Sequence, residues 1–321
     1  MRFFTRCAIA AGLAVLALAS QAQTFPSKTV RIVVPFGAGG VADITARTVA
    51  EKLSQSLGQA VVIDNKPGAG GVAAGDIVAK ADPDGHTLLL ISNGTAVSAG
   101  LFKSLPFDTQ RDFAPISTLA TFDIAVITQA DSRFKSLGEL VAFAKANPGK
   151  LNLGTVNIGS TQNLTGELLK SAAGIDVQIV PFNGTPAVIT ALRGNQIDAA
   201  VEILGPVIPH IGSKAVRALA VTGAKRSAVL PDVPTAIESG VPGLVASSWN
   251  GLAAPAKTPA AVIARLNKDI TAAVEAPDVK TKLRALNMDA HASTPEQTAE
   301  LLASETKRWG DVIVRAKIPT Q

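Results

Sequence analysis

The chain has 321 residues, 47% hydrophobic, 17% charged and 4% aromatic, with 30 Lys and Arg against 25 Asp and Glu for a formal charge of +5. So apolar a chain is no disordered polymer, its length suits one large or two medium domains, and 27 Gly and 19 Pro without a fixed period exclude collagen-like and low-complexity architectures. The one cysteine, Cys7, excludes a disulfide framework and a Cys-based zinc site, and sparse aromatics without any run of Lys or Arg argue against nucleic acid as a partner.

Residues 1–22 read as a secretory signal. Arg2 and Arg6 form its basic start, Ala8 to Ala19 is an apolar stretch of about a dozen residues, and Ser20-Gln21-Ala22 offers small residues where a signal peptidase requires them. The apolar stretch is well short of the roughly 20 residues that span a bilayer. Cys7 precedes it, so a lipoprotein anchor is not signalled, and Arg2 and Arg6 are not adjacent, so neither is the twin-arginine route. Cleavage near Ala22 predicts a periplasmic protein with a small positive charge and no cysteine. A chain of about 300 residues buries roughly three-quarters of its unfolded surface and needs no such staple.

Beyond the signal, strand and helix patterns alternate. Val30 to Val34 is a β-branched run, followed by a Gly-rich turn and an amphipathic stretch from Asp43 to Leu57. Strand 61–63, a second Gly-rich turn, helix 72–80 and strand 88–91 complete a βαβαβ unit, whose apolar runs lack alternation, as in strands buried on both faces. A second series follows, with strands at 124–127, 151–153, 177–180, 199–203 and 216–221 and helices at 136–146, 161–172 and 186–192. The chain returns to a strand at 249–252 and ends in helices at 259–274, 277–286 and 295–314, each opening on a proline, as suits the first helical turn. Two α/β units are predicted.

Three loops follow strands and open helices. Phe36-Gly37-Ala38-Gly39-Gly40 lets an anion approach backbone N–H groups where the helix dipole also favours negative charge. Asp43 either caps that helix and pairs with Arg47, or holds water over a bound ligand. The second loop carries the hydroxyls of Thr155, Ser160 and Thr161, the amides of Asn157 and Gln162, and Gly159. The third is Asn183-Gly184-Thr185-Pro186, and Asn93, beyond strand 88–91, is a further candidate. In open α/β sheets ligands bind beyond the carboxyl ends of strands, so these loops predict a cleft between the two units.

Gly37 to Ala42 also satisfies G-x-G-x-x-A, so an exported NAD-dependent oxidoreductase is the alternative. Against it, Pro35-Phe36 separates strand from glycines, and Asp64 comes late for a ribose-binding acid. The same string recurs at Gly68-Ala69-Gly70-Gly71-Val72-Ala73, where it is expected only to shape a turn. Neither copy continues to Gly-Lys-Ser/Thr, so a P-loop is excluded, and G-x-S-x-G is absent, so a nucleophile elbow is not supported. His86, His210 and His291 lie in separate contexts, and no metal site is expected. Glu202 either faces the cleft or lies outward at a helix start; Trp249 and Trp309 read as core anchors.

At these loops the chain resembles the Bug family, the periplasmic solute receptors of tripartite tricarboxylate transporters. The resemblance runs from Phe25-Pro26-Ser27-Lys28 to the last helix. It is carried by Val33-Val34-Pro35-Phe36 with Gly39-Gly40 and Asp43, by Asn65-Lys66-Pro67-Gly68-Ala69-Gly70-Gly71, Pro83-Asp84-Gly85, Asp112-Phe113-Ala114-Pro115, Val180-Pro181-Phe182, Leu230-Pro231-Asp232-Val233-Pro234-Thr235 and Trp249-Asn250-Gly251-Leu252. It implies a two-domain α/β periplasmic-binding-protein fold of the Venus-flytrap type with the ligand cleft between domains. The domains would be residues 23–122, 123–246 and a return at 247–321, crossing near Phe122-Asp123 and Val245–Ser248. It also implies a monomeric receptor without cofactor or enzymatic activity, a small carboxylate ligand, Asp43 organising ordered water, and a two-component membrane permease as partner. The chain departs from the family pattern at Gly37-Ala38, Val41-Ala42, Asn163, Phe182 and Asn183, losing a Lys and a His near the cleft. With no tyrosine and no obvious side-chain cation, it is expected to prefer a mono- or dicarboxylate to a tricarboxylate.

Overall fold

The computed structural model describes residues 25–315 and 317–321, so the expected signal segment lies outside the described residues. No helix among them is long and apolar enough to cross a membrane.

In the first half, strand β1 (Val30–Val34) leads through the first Gly-rich loop into helix α1 (Val41–Leu57). Val41, Ala42, Ala46, Val49, Ala50, Leu53 and Leu57 bury one face of that helix, and Gly58 ends it at φ 66° with its N–H on the Ser54 carbonyl. Strand β2 (Val61–Asn65), helix α2 (Val72–Ala79), strand β3 (Thr87–Ser92) and helix α3 (Asn93–Leu101) follow, with β1 parallel to both β2 and β3. Strand β4 (Phe113–Gln129) then runs for 17 residues.

The second half comprises α4 (Leu137–Ala146), β5 (Asn152–Val156), α5 (Thr161–Ala173), β6 (Gln178–Phe182), α6 (Thr185–Arg193), β7 (Ala199–Ile203), α7 (Leu204–Gly212) and β8 (Val216–Val221). Strand β9 (Ser247–Pro255) returns, followed by α8 (Ala260–Glu275), α9 (Pro277–Arg284), β10 (Met288–Ala290) and α10 (Pro295–Arg315).

The ten strands form one sheet path, β2-β1-β3-β9-β4-β7-β5-β6, with β8 and β10 both on β4. Its two lobes share β4, whose first part, Phe113 to Asp123, pairs with β9 and β10, and whose last part, Ile124 to Gln129, pairs with β7 and β8. The architecture is the predicted two-part α/β fold, but the sheets are mixed, because β9 runs antiparallel to both β3 and β4. Of the closing helices, α8 packs on the first lobe, where Leu266, Ile270, Ala273 and Val274 share a core with Val30, Ile32, Val49 and Leu53. Val279 and Leu283 of α9 and Trp309, Val312 and Ile313 of α10 instead lie in a core that also holds Val97, Leu164 and Leu168. Trp249 and Trp309 are buried, and Trp309 Nε1 donates to Glu305 one turn earlier at 2.9 Å.

Helices α3 and α7 and the length of β4 depart from the local reading. Gly94 and Gly100 in α3, and Gly205, Pro206 and Pro209 in α7, are poor helix formers. Packing of Leu204 and Val207 against Val188, Ile189 and Leu192 for α7, and burial of most of its length with a capping box of Ser92 and Thr95 for α3, outweigh that propensity. Pro115 sits in β4 at a shift of register, where a strand tolerates proline.

Candidate functional site

The strand-to-helix loops of the two lobes meet around two small adjoining cavities that share Phe36 and Ser92 as walls. The larger is bounded by Phe36, Gly37, Gly40, Val41 and Ala42 at the start of α1, by Thr161 and Gln162 of α5, and by Gly184 and Thr185 of α6. Ser92, Ser248 and Asn250 complete its polar wall. The smaller lies between Gly68, Gly70 and Gly71 before α2, Gly94 and Thr95 of α3, and Asn157 to Ser160 before α5. No charged side chain among the described residues lines either cavity.

Helix ends supply the charge instead. The first turn of a helix has N–H groups without intrahelical acceptors and a partial positive charge of roughly +0.5. Glycine starts α1, α2 and α6 without a side-chain cap, so their N–H groups stay available. Ser160 caps α5, accepting from the Asn163 N–H at 3.1 Å, while Asn163 Oδ1 accepts from Gly159 at 3.2 Å and shapes the loop. Convergence of these ends makes a site for an anion without any cationic side chain.

Six sequence-predicted residues, Phe36, Gly37, Gly40, Thr161, Gly184 and Thr185, line the larger cavity, and Asn157, Gly159 and Ser160 line the smaller. Ala38, Gly39, Asp43, Asn93, Thr155 and Asn183 fall outside both walls. Asp43 works from behind the first loop: its Oδ2 accepts from the Gly39 N–H at 3.0 Å, and Arg47 Nε reaches both carboxylate oxygens at 3.0 Å. Arg47 also donates to Asn65 Oδ1, and Asn65 Nδ2 donates to the Phe36 carbonyl at 3.0 Å, so one polar network sets the loop's shape. Burial pushes the Asp43 carboxyl up, but hydrogen bonds from Arg47, Gly39 and Asn65 outweigh it and hold the carboxyl below its ordinary range. Thr155 supports Asn163 at 3.3 Å, and Asn93 Nδ2 donates to the Ser247 carbonyl at 2.8 Å, tying α3 to the crossing strand. Asn183 contributes its backbone: a Cβ on Gly37 would stand 2.4 Å from the Asn183 carbonyl oxygen.

The second Gly-rich loop does more than turn the chain, which corrects the expectation for Gly68 to Gly71. Gly70, at φ 59°, donates its N–H to the Ile158 carbonyl at 2.7 Å, and Asn157 Nδ2 reaches the Gly68 carbonyl at 3.4 Å. Gly159, at φ 81°, faces it so closely that a Cβ there would lie 2.9 Å from Gly70 Cα. Residues from the two lobes thus touch backbone to backbone beside the smaller cavity.

Gln162, read as a donor of the second loop, lines the larger cavity as well, whereas three polar residues of its wall, Ser92, Ser248 and Asn250, were not among the predicted site residues. Asn250 carried a local signal, an amide within an apolar strand. It is 2% exposed and its Nδ2 has no partner among the described residues, a buried donor that calls for an acceptor. Glu202 lies just behind the wall and is fully buried. Its Oε2 accepts from Thr185 Oγ1 at 3.0 Å, the Ile203 N–H at 3.2 Å and Gln162 Nε2 at 3.4 Å, while Oε1 has no partner. Burial pushes its carboxyl up to about 7 against the lowering effect of those donors.

The dinucleotide alternative does not match this geometry. Asp64, its ribose-binding acid, is engaged by Arg31 at 3.4 Å and Lys66 at 3.2 Å, and the glycine loop faces the second lobe across the larger cavity.

Comparison with known proteins agrees. Residues 45–318 match the model of the tripartite tricarboxylate transporter family receptor. Protein BugT of Bordetella pertussis is 35% identical over 294 residues, 91% of this chain and 90% of its own length. Among solved structures, MatC from Rhodopseudomonas palustris with bound malate superposes with a TM-score of 0.85 at 34% identity, covering 90% of this chain and all of that one. An R. palustris protein with adipate does so with a TM-score of 0.88 at 30% identity, covering 92% of this chain and 99% of that one. With its fold, its matched span and its relatives in agreement, the chain belongs to the tripartite tricarboxylate transporter receptor family of periplasmic solute-binding proteins.

Proposed function

We propose that this receptor captures a small mono- or dicarboxylate between its lobes and releases it unchanged to a two-component membrane permease. The observation that carries the reading is the convergence of the N-termini of α1, α5 and α6 on a cavity whose walls, among the described residues, hold no charged side chain. Three helix ends of roughly +0.5 each balance one or two carboxylates better than three. The ligands named for the related structures, malate and adipate, are both dicarboxylates.

The lobes would be residues 23–122 with 247–321, and residues 123–246, hinged where β4 and β9 cross near Phe122-Asp123 and Val245–Ser248. Asp43 would act through the Gly39 N–H, holding the loop and any water over the ligand. The chain would work as a monomer after cleavage near Ala22.

A panel of mono-, di- and tricarboxylates read by thermal shift and then by product analysis tests this. A ligand at a hundredfold excess over its dissociation constant is expected to stabilise the protein by about 2.7 kcal/mol and to be recovered unaltered. Response to nicotinamide cofactors but to no carboxylate, or preference for a tricarboxylate such as citrate, would refute it.

Asn250→Ala separates binding from folding. Removing an unpaired buried donor is expected to cost the ligand-free protein little beyond the lost side-chain contacts. The lost hydrogen bond to a charged ligand group is expected to weaken binding by about tenfold or more, read by calorimetry. Unchanged affinity would take Asn250 out of the site.

A further inference from the structure

One buried ionisable group stands beside the larger cavity without lining it. Glu202, on β7, is fully buried, and its partners Gln162, Thr185 and Ile203 all line that cavity. All three donors converge on Oε2, and Oε1 has none. A buried carboxylate anion wants donors on both oxygens and a cation nearby. This one has neither.

The charged groups on the surrounding elements are otherwise engaged or distant along their elements. On α5, Glu167 and Lys170 pair with each other at 3.5 Å. Helix α6 carries only Arg193, at its last turn, and α7 only His210, also at its last turn. On β4, Asp123 is held by Asn287 Nδ2 at 2.9 Å, and β5 carries no charge. Arg217 lies on β8, beyond β4, and on α1 across the cavity Asp43 is paired with Arg47. The only side chains that hydrogen-bond Glu202 among the described residues are the neutral Gln162 and Thr185.

Resting on the carboxylate reading of the site, we propose that Glu202 is a proton-linked positioning residue, so that a ligand carboxylate is accepted only together with a proton on Glu202. A carboxylic acid in this place has an O–H on the unpartnered oxygen and needs an acceptor, as Asn250 Nδ2 does. A ligand carboxylate brings acceptors and no donors. It also competes with an ionised Glu202 for the positive ends of α5 and α6, and two carboxylates drawing on one set of dipoles without a cation do not both stay ionised. The direction of the shift at Glu202, upward through burial, agrees with this geometry. The consequence is selectivity: the site would bind anions best where a proton is available and would reject them as Glu202 ionises.

Calorimetric titration of the full chain with malate and with adipate, between about pH 6.5 and 9 and in two buffers of different ionisation enthalpy, tests the inference. Over that range both acids lie above the ordinary titration of carboxyl groups, so their own protonation hardly contributes. The wild-type protein is expected to take up a proton on binding, approaching one per ligand above pH 7. Its dissociation constant should rise by up to about tenfold per pH unit above that point, as one linked proton requires. In Glu202→Gln the uptake and the slope should both vanish. Binding without proton uptake, the same slope in the variant, or affinity that increases with pH overturns the inference; the last would mean an ionised Glu202 receiving a ligand ammonium or hydroxyl donor. Should the variant fail to fold, the wild-type proton count in the two buffers decides alone. Failure of both acids to bind at any pH counts against the dicarboxylate reading itself and takes this inference with it, whereas binding without a proton sinks the inference only.

Discussion

Gly37→Ala is expected to weaken carboxylate binding by about ten- to a hundredfold, or 1–3 kcal/mol, while the ligand-free protein stays folded with a nearly unchanged thermal midpoint. Gly37 does not occupy the left-handed region, so alanine fits its backbone without strain. The obstacle is across the cleft, where the added Cβ would meet the Asn183 carbonyl oxygen at 2.4 Å. That oxygen is backbone and has no rotamer through which to retreat, so the start of α1 and the start of α6 must part. Parting them enlarges the cavity and withdraws helix ends from the anion. Gly212→Ala, where an added Cβ meets nothing within 4 Å, is the control. Wild-type affinity in Gly37→Ala would show that the ligand does not need these two loops together.

The second large effect is on stability. Glu202→Gln keeps the side chain's shape and an acceptor for Thr185 and the Ile203 N–H, but removes the titration. The Glu202 carboxyl moves from 4.5 to about 7 on folding because burial disfavours its charge. Below 4.5 the acid is neutral in both states and the variant should gain nothing from the lost charge. Between 4.5 and 7 the unfolded chain ionises first, so wild-type stability falls as pH rises, and above 7 the deficit is constant. Its size, about 3 kcal/mol, follows from the shift at 1.36 kcal/mol per unit. Denaturant unfolding of both proteins at pH 4, 6 and 8 without ligand reads it directly. A difference that does not grow with pH would mean that Glu202 is solvated or charge-compensated in the folded state.

Much of the fold was legible because its signals are local. The unalternated run at Val30 to Val34 reads as a strand buried on both faces, and the apolar spacing from Val41 to Leu57 reads as a helix, whichever partners they meet. Glycine and serine at 36–40, 155–161 and 183–185 mark helix starts beyond strand ends, and nine of the residues named there and nearby line the cavities. Helix α3 was hidden by Gly94 and Gly100, and with it the position of Ser92 as a cap shared by both cavities. Glu202 could be read as facing the cleft or lying outward, and Asn250 as one amide in a strand, and only the placement of β7 and β9 beside the helix ends separates these readings. Gly68 to Gly71 could pass for a turn because its partners, Asn157 to Gly159, lie in the other lobe.

The sequence by itself carried the alternating α/β grammar and the family resemblance, and with them the expectation of an export signal and of a binding site that uses backbone donors in place of cations. Only the tertiary structure decided which helix ends converge, that a second glycine loop touches the opposite lobe, and that a carboxyl is left buried with one oxygen bare. Helix starts are written in a few adjacent residues, whereas convergence depends on two sheets sharing β4 and on packing between residues far apart in the chain.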